Sequence, residues 1–274
     1  MTEEENIVAG MFDSHAHYYD AKFASVGGAE PILDQLFASG EISGIVNVST
    51  NNENAAACLS MAARYPGMYA AVGIHPEDCE AYSDLDAEMN RLRELLGTPG
   101  SRRRDKIVAI GEIGLDYHYE PFDKGKQASY FDAQMSLAEE LNLPVIIHDR
   151  EAHGDCFETV LRHKGVTGVF HSYSGSAEMA KELVRRGWYL SFSGVVTFKN
   201  ATRVREVAAT VPLDRLLIET DCPYLAPHPH RGELNHSGLM RYTAEALAEV
   251  FDVSPEELIR RTRENAERLF RLTV

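Results

Sequence analysis

The stretch Ile107-Val108-Ala109-Ile110-Gly111-Glu112, the helix-patterned segment 126–141 and the run Pro144-Val145-Ile146-Ile147-His148 together decide the fold. Both short runs are almost wholly apolar, as strands buried on both faces must be, and such strands belong to parallel sheets covered by helices. Between them, Phe131, Met135, Leu137, Ala138 and Leu141 recur at the spacing of one helical face. Strand, helix, strand is the unit that joins parallel neighbours. Working outward, strand-like runs appear at 11–16, 44–50 and 69–74 before this unit, and at 168–172, 188–193 and 215–220 after it. Near the C-terminus Ser254-Pro255-Glu256-Glu257 reads as an N-cap, a proline at the first helical position and a capping-box Glu. Eight strands alternating with helices predict a parallel (β/α)8 TIM-type barrel. A doubly wound open sheet is the alternative, but no Gly-x-Gly-x-x-Gly follows the first strand.

A length of 274 residues suits two average domains or one barrel. With no linker-like segment, a single domain over 11–274 is expected, preceded by a flexible extension at 1–10. That extension opens Met1-Thr2-Glu3-Glu4-Glu5, without the basic and apolar regions of a secretion signal. No apolar run approaches a membrane span. Cys58, Cys79, Cys156 and Cys222 are scattered, which predicts reduced thiols and a soluble, cytoplasmic protein with no obligate partner. The net charge of −15 argues against a broad nucleic-acid-binding surface. It leaves room for a nucleic-acid substrate at one pocket, because bound metals reverse a local field and charges beyond about 8 Å are screened.

Barrel chemistry gathers at the C-terminal ends of the strands, and the metal-binding residue types fall there. Phe12-Asp13-Ser14-His15-Ala16-His17 ends the first strand with two imidazoles on one face. His75 ends the third strand, Glu112 the fourth, His148 the fifth, His171 the sixth and Asp221 the eighth. Singly, His148 or His171 is most simply a hydrogen-bonded core histidine, and Glu112 half of a buried ion pair. Together they would crowd unpaired polar groups into one barrel mouth, at high cost. Imidazoles with carboxylates suit two divalent ions such as zinc, manganese or magnesium. Glu112 can give one oxygen to each, with His15, His17 and Asp221 on one ion and His148 and His171 on the other. Metal-assisted hydrolysis needs an acidified water, and Asp221 is placed to accept its proton. His75 is open between substrate contact, general acid and structural histidine. Glu219 either orients a ligand or forms a buried salt bridge. His118, His153, His163 and His236 read as solvated. Of the cations, Arg150, Lys199 and Arg231 follow strands and should ring the mouth, whereas Arg102-Arg103-Arg104 precedes a strand and should lie at the opposite face.

With these residues assembled, the chain resembles the TatD family of metal-dependent deoxyribonucleases, a branch of the amidohydrolase-type barrels. The likeness runs from about residue 11 to 271. Beyond the His15–His17 motif it rests on Gly73-Ile74-His75-Pro76, on 111–117 (Gly-Glu-Ile-Gly-Leu-Asp-Tyr) and on 143–150 (Leu-Pro-Val-Ile-Ile-His-Asp-Arg). Ser191-Phe192-Ser193-Gly194 and 219–227 (Glu-Thr-Asp-Cys-Pro-Tyr-Leu-Ala-Pro), leading to Arg231-Gly232 and Asn235, complete it. The resemblance implies a metal centre on His15, His17, Glu112, His148, His171 and Asp221, with His75 and Arg231 near the substrate phosphate. It also implies hydrolysis of DNA phosphodiesters, commonly from a 3′ end, with DNA bound as a strand end. Ser237 stands where the family usually has proline, and the segment Lys22–Glu30 fits loosely. A small-molecule amidohydrolase or lactonase with the same metals is the closest rival. Many of those bridge their metals with a modified lysine on the fourth strand, but Lys106 lies at the wrong end. An idle, partner-binding barrel would be expected to have lost ligands, and all six are present.

Overall fold

The computed structural model describes residues 10–272. Its strands are β1 (Met11–Ala16), β2 (Ile42–Val48), β3 (Met68–Val72), β4 (Ile107–Asp116), β5 (Val145–Arg150), β6 (Gly168–Phe170), β7 (Tyr189–Phe192) and β8 (Leu216–Ile218). Each pairs in parallel with the next. Between β8 and β1 the ring is drawn together by a bridge from Ala16 to Cys222. There His17 N donates to Cys222 O at 2.8 Å and Asp221 N to His15 O at 2.9 Å. The result is the nearly closed (β/α)8 barrel that the alternation predicts. Around it lie α1 (Glu30–Ser39), α2 (Asn52–Arg64), α3 (Leu85–Leu96), α4 (Pro99–Arg104), α5 (Lys124–Leu141) and α6 (His153–Arg162). They are followed by α7 (Ala177–Arg185), α8 (Thr202–Ala208), α9 (Met240–Phe251) and α10 (Pro255–Leu269).

Local chemistry sets the ends of these helices. Asp123 caps α5 by accepting from Lys126 N, and left-handed Asn142 closes it. Ser254 caps α10 by accepting from Glu257 N at 3.2 Å, with Pro255 in the first turn.

Two apolar layers hold the molecule. The larger lies between strands and helices. The smaller draws on every strand, through Phe12, Val46, Ala71, Val108, Ile146, Val169, Tyr189 and Leu217, and so fills the barrel's interior. Leu269 and Phe270, at the end of α10, join this inner cluster, and Phe270 stacks on Phe12 with ring centres 6.2 Å apart. The barrel is plugged at that end, which leaves the opposite mouth for chemistry.

Several boundaries differ from the sequence reading. β4 continues four residues past Glu112 because Gly114 lets it hug β5. Gly114 has φ +144°, and a Cβ there would sit 1.9 Å from His148 O. β6 and β8 stop at Phe170 and Ile218, since Ser172 (φ +39°) and Asp221 (φ +56°) bend the chain out of the ladder. β3 ends at Val72, so His75 comes three residues after it. β2 begins two residues early, at Ile42, and β5 runs on to Arg150. The extension expected at 1–10 lies outside the described residues, apart from Gly10, whose carbonyl accepts from Ser43 Oγ at 2.9 Å.

Candidate metal centre

At the open mouth, His15, His17, His75, His148 and His171 converge on Glu112, with Asp221 beside the first two. The β1–β2 register slips between Asp13 and Ala16, and both His15 and His17 turn toward the carboxylate. His15 Nε2 and His17 Nε2 lie 3.0 Å apart, and 3.4 and 3.6 Å from Glu112 Oε2. Asp221 Oδ1 sits 3.7 Å from His15 Nε2 and 3.3 Å from His17 Nε2. The other oxygen of Glu112 faces a second pair: Oε1 is 2.8 Å from His148 Nδ1 and 2.7 Å from His171 Nε2. Each carboxylate oxygen thus serves its own pair of imidazoles.

The outer nitrogens tell which inner atoms carry lone pairs. A carbonyl only accepts, so His17 Nδ1, 2.8 Å from Val48 O, is an N–H and its Nε2 is bare. His148 Nε2 lies 2.8 Å from Asp116 Oδ2, and His171 Nδ1 lies 3.3 Å from Glu219 Oε1. Those carboxylates can take the outer N–H of each ring, which would leave the inner nitrogens beside Glu112 Oε1 free for a metal. Three electron-rich atoms so close together require a positive charge among them, whether protons or a cation. Without a cation, burial opposes protonation of His148, but Asp116 and Glu112 push it up to about 9. Burial likewise opposes protonation of His171, yet Glu112 and Glu219 raise it well above the usual range. Glu112 is held well below the carboxylate range, because His171, His15, His75 and His148 outweigh its burial. Asp221 is lowered in the same way, by His17 above all, against its burial. The buried Nδ1 of His15 has no hydrogen-bond partner. A donor set of imidazole nitrogens and carboxylate oxygens, with its outer atoms already spoken for, fits divalent metal.

His75 behaves differently. Its Nδ1 accepts from Glu77 N at 3.2 Å, so Nε2 carries the proton and points at Glu112 Oε1 from 3.8 Å. Burial, reinforced by His148, pushes it down to about 3, which keeps the ring neutral. A neutral N–H aimed into the mouth suits a hydrogen-bond donor to substrate better than a metal ligand.

Asp116 was missing from the candidates read in the sequence. It holds His148, and its backbone is clamped by Gln127 through bonds of 2.9 Å in each direction. Its position four residues after Glu112 on one strand, hence on the same face, was the available signal. Glu219 holds His171: it accepts from His171 Nδ1 and, at 2.7 Å, from Ser172 N. Asp221 and Ser172, both at positive φ beside the cluster, are held in conformations that non-glycine residues rarely adopt.

Arg150 lines the mouth cavity; Lys199 and Arg231 are not among its lining residues. Arg231 lies 4.6 Å over the Phe198 ring. Arg102 is buried and donates to Leu96 O and Gly97 O, at the end of α3. Of the histidines expected to be solvated, His118 is exposed, His153 and His236 are half-buried and His163 is buried. His163 is buried against Asp132 and Glu139, His118 bonds to Glu151, His153 bonds to Asp149, and His236 accepts from Gly238 N.

A family profile described as TatD related DNase matches residues 12–271. The chain belongs to this family. It is 40% identical to the metal-dependent hydrolase YabD of Bacillus subtilis, over 96% of this chain and 99% of that one. With the metal-dependent hydrolase TatD of Mycobacterium tuberculosis the identity is 34%, covering 96% and 98%. Among solved structures, the TatD homologue YjjV of Escherichia coli superposes with a TM-score of 0.87 at 30% identity, over 97% of this chain and all of the other. This TatD-family barrel is therefore a metal-dependent hydrolase with a His, Glu and Asp cluster able to hold the metal.

Proposed function

We propose that the chain is a deoxyribonuclease that hydrolyses phosphodiesters at single-stranded DNA ends, from the 3′ side, with two divalent ions on the cluster. The observation that carries this reading is the division of Glu112 between two imidazole pairs, one per oxygen. His15, His17 and Asp221 would hold one ion and His148 and His171 the other, with Glu112 between them. Such a pair supplies Lewis acidity to a phosphoryl group and lowers the pKa of a water. Asp221 is the proton acceptor in this scheme, being ionised, partly accessible and 3.3 Å from His17 Nε2. His75 Nε2–H donates to a phosphoryl oxygen as charge builds there. Arg150, at the cavity wall, meets the backbone, and Arg231 and Lys199 lie farther along the strand's path.

DNA as substrate is supported by the family's description and by the shape of the site. The barrel's plugged end makes the mouth a pit, which a strand end enters more readily than the middle of a duplex. None of the described helices is long and apolar enough to cross a membrane, and the four cysteines are buried free thiols, which goes with work in the cytoplasm. The test is metal analysis together with cleavage of end-labelled single-stranded DNA, alongside a panel of esters, lactones and amides. Metal-dependent trimming of the DNA is expected. Turnover confined to a lactone or amide would replace this reading with the small-molecule one.

A further inference from the structure

α5 packs on the barrel through Phe131, Met135 and Ala138, all fully buried, yet the same face carries two buried glutamines, Gln127 and Gln134. An amide so far from water must bond at both ends. Gln134 Oε1 accepts from Ile74 N at 2.7 Å, and its Nε2 donates to Ile74 O at 3.0 Å. Gln127 does the same to Asp116, at 2.9 Å in each direction. Each side chain thus grips one residue of main chain by its N–H and its C=O, as a neighbouring strand would.

Both gripped residues stand at the edge of the ladder and next to the chemistry. β3 ends at Val72, two residues before Ile74, and Asp116 is the last residue of β4. Ile74 precedes His75, whose Nε2–H points at Glu112, and Asp116 carries the carboxylate beside His148. His75 N donates to Thr50 O at 2.7 Å, so the Ile74–His75 segment is held from two sides. Seven residues are just under two helical turns, and α5 therefore sets the two grips about 10 Å apart. We infer that Gln127 and Gln134 are positioning residues: α5 is a ruler on which Gln134 places the His75 donor and Gln127 places the Asp116 carboxylate that orients His148. This rests on the metal and donor roles proposed above for His148 and His75, and adds what keeps the two in register. A shift of about 1 Å at such a group can cost on the order of a hundredfold in rate. A merely structural amide would lower stability without choosing between metal affinity and turnover.

The experiment replaces each glutamine with methionine, which is similar in length and makes no such bonds. Two quantities are read on the full chain: zinc affinity in a metal-buffered titration, and kcat and KM of the metal-loaded enzyme on end-labelled single-stranded DNA. Gln127→Met should weaken zinc binding roughly three- to tenfold, less than the loss of a ligand's direct partner, and should add little to Asp116→Ala. Gln134→Met should lower kcat about tenfold or more at nearly unchanged KM, with zinc affinity within about twofold of wild type. It should add little in a His75→Ala background. Asn265→Leu is the control. This buried amide donates to Leu213 O and Leu216 O, at the start of β8 and the other end of the barrel, so its loss should lower the melting temperature alone. Gln127→Asn and Gln134→Asn, which keep the amide but fall a methylene short, carry the same test if a methionine variant does not fold. Glutamine variants that behave like Asn265→Leu, or that lower affinity and turnover together, would overturn the inference. Turnover of a lactone or ester in place of DNA would overturn the nuclease reading alone, since the zinc titration and kcat on that substrate still test the glutamines.

Discussion

At the scale of single residues, the centre depends on Glu112, whose two carboxylate oxygens each face one imidazole pair. Glu112→Ala should lose nearly all activity and most of the bound metal, because both halves of the cluster lose an oxygen and the cations lose their shared counter-charge. Metal analysis after gel filtration checks this, and a variant with full metal content would remove Glu112 from the bridge. Asp116 acts at one remove, fixing the His148 ring so that its Nδ1 faces inward. Asp116→Ala should weaken metal affinity about 10–100-fold with little change in melting temperature, as read in a metal-buffered titration. His15, His17, Glu112, His148, His171 and Asp221 were legible because each closes an apolar run, where a metal-binding residue type is conspicuous. Asp116 was not. It sits past an apparent stop at Gly114, and nothing in its own type marks a carboxylate as the partner of a histidine 32 positions away.

At the scale of elements, the seam between β1 and β8 is held by a buried carboxylate. Asp13 accepts from Thr220 N and Oγ1, from Ser237 Oγ and from His15 N. Ser237, which replaces the proline common in the family, also donates its N–H to Tyr18 Oη at 2.9 Å, a bond proline could not make. Burial pushes Asp13 up to about 6 in spite of these hydrogen bonds. The folded chain therefore keeps a proton on Asp13 that the unfolded chain has lost, between the ordinary 3.8 and about 6. Across that window the native state binds more protons, so this group's contribution to stability falls as pH rises, by about 3 kcal/mol in all. The difference in unfolding free energy between wild type and Asp13→Asn, followed from pH 4 to pH 7, should show that decline. A difference independent of pH would mean that Asp13 is ionised throughout. The strands were readable as apolar runs, and α5 and α10 from their spacing and caps, because burial and capping are local demands. The ends of β4, β6 and β8 were not, because close approach at Gly114 and turns at Ser172 and Asp221 depend on neighbours distant in sequence.

At the scale of the whole molecule, the nuclease proposal asks a chain of net charge −15 to hold a polyanion without a basic track. Its densest positive run, Arg102-Arg103-Arg104, lies in α4, which leads into the N-terminal end of β4 and so belongs to the plugged face. Arg102 is committed to the end of α3, and Arg104 to Asp105. The cavity's basic group is Arg150, at the C-terminal end of β5. Each phosphate-contacting cation removed should weaken binding and flatten its salt dependence by a little under one counterion on single strands. Arg150→Ala is therefore expected to raise KM for single-stranded DNA and lower the salt slope, with smaller effects from Arg231→Ala and Lys199→Ala. Replacing Arg103 and Arg104 together, with Arg102 kept for the fold, should change neither quantity. The same geometry makes ends matter, since a pit closed below and rimmed by loops takes a terminus more easily than a continuous strand. Linear single strands should be degraded much faster than circles of equal length. A salt titration of cleavage on both substrates, run for each variant, reads these effects together. Loss of salt dependence in the Arg103–Arg104 variant, or equal rates on circles and linear strands, would place the DNA on a different face of the barrel.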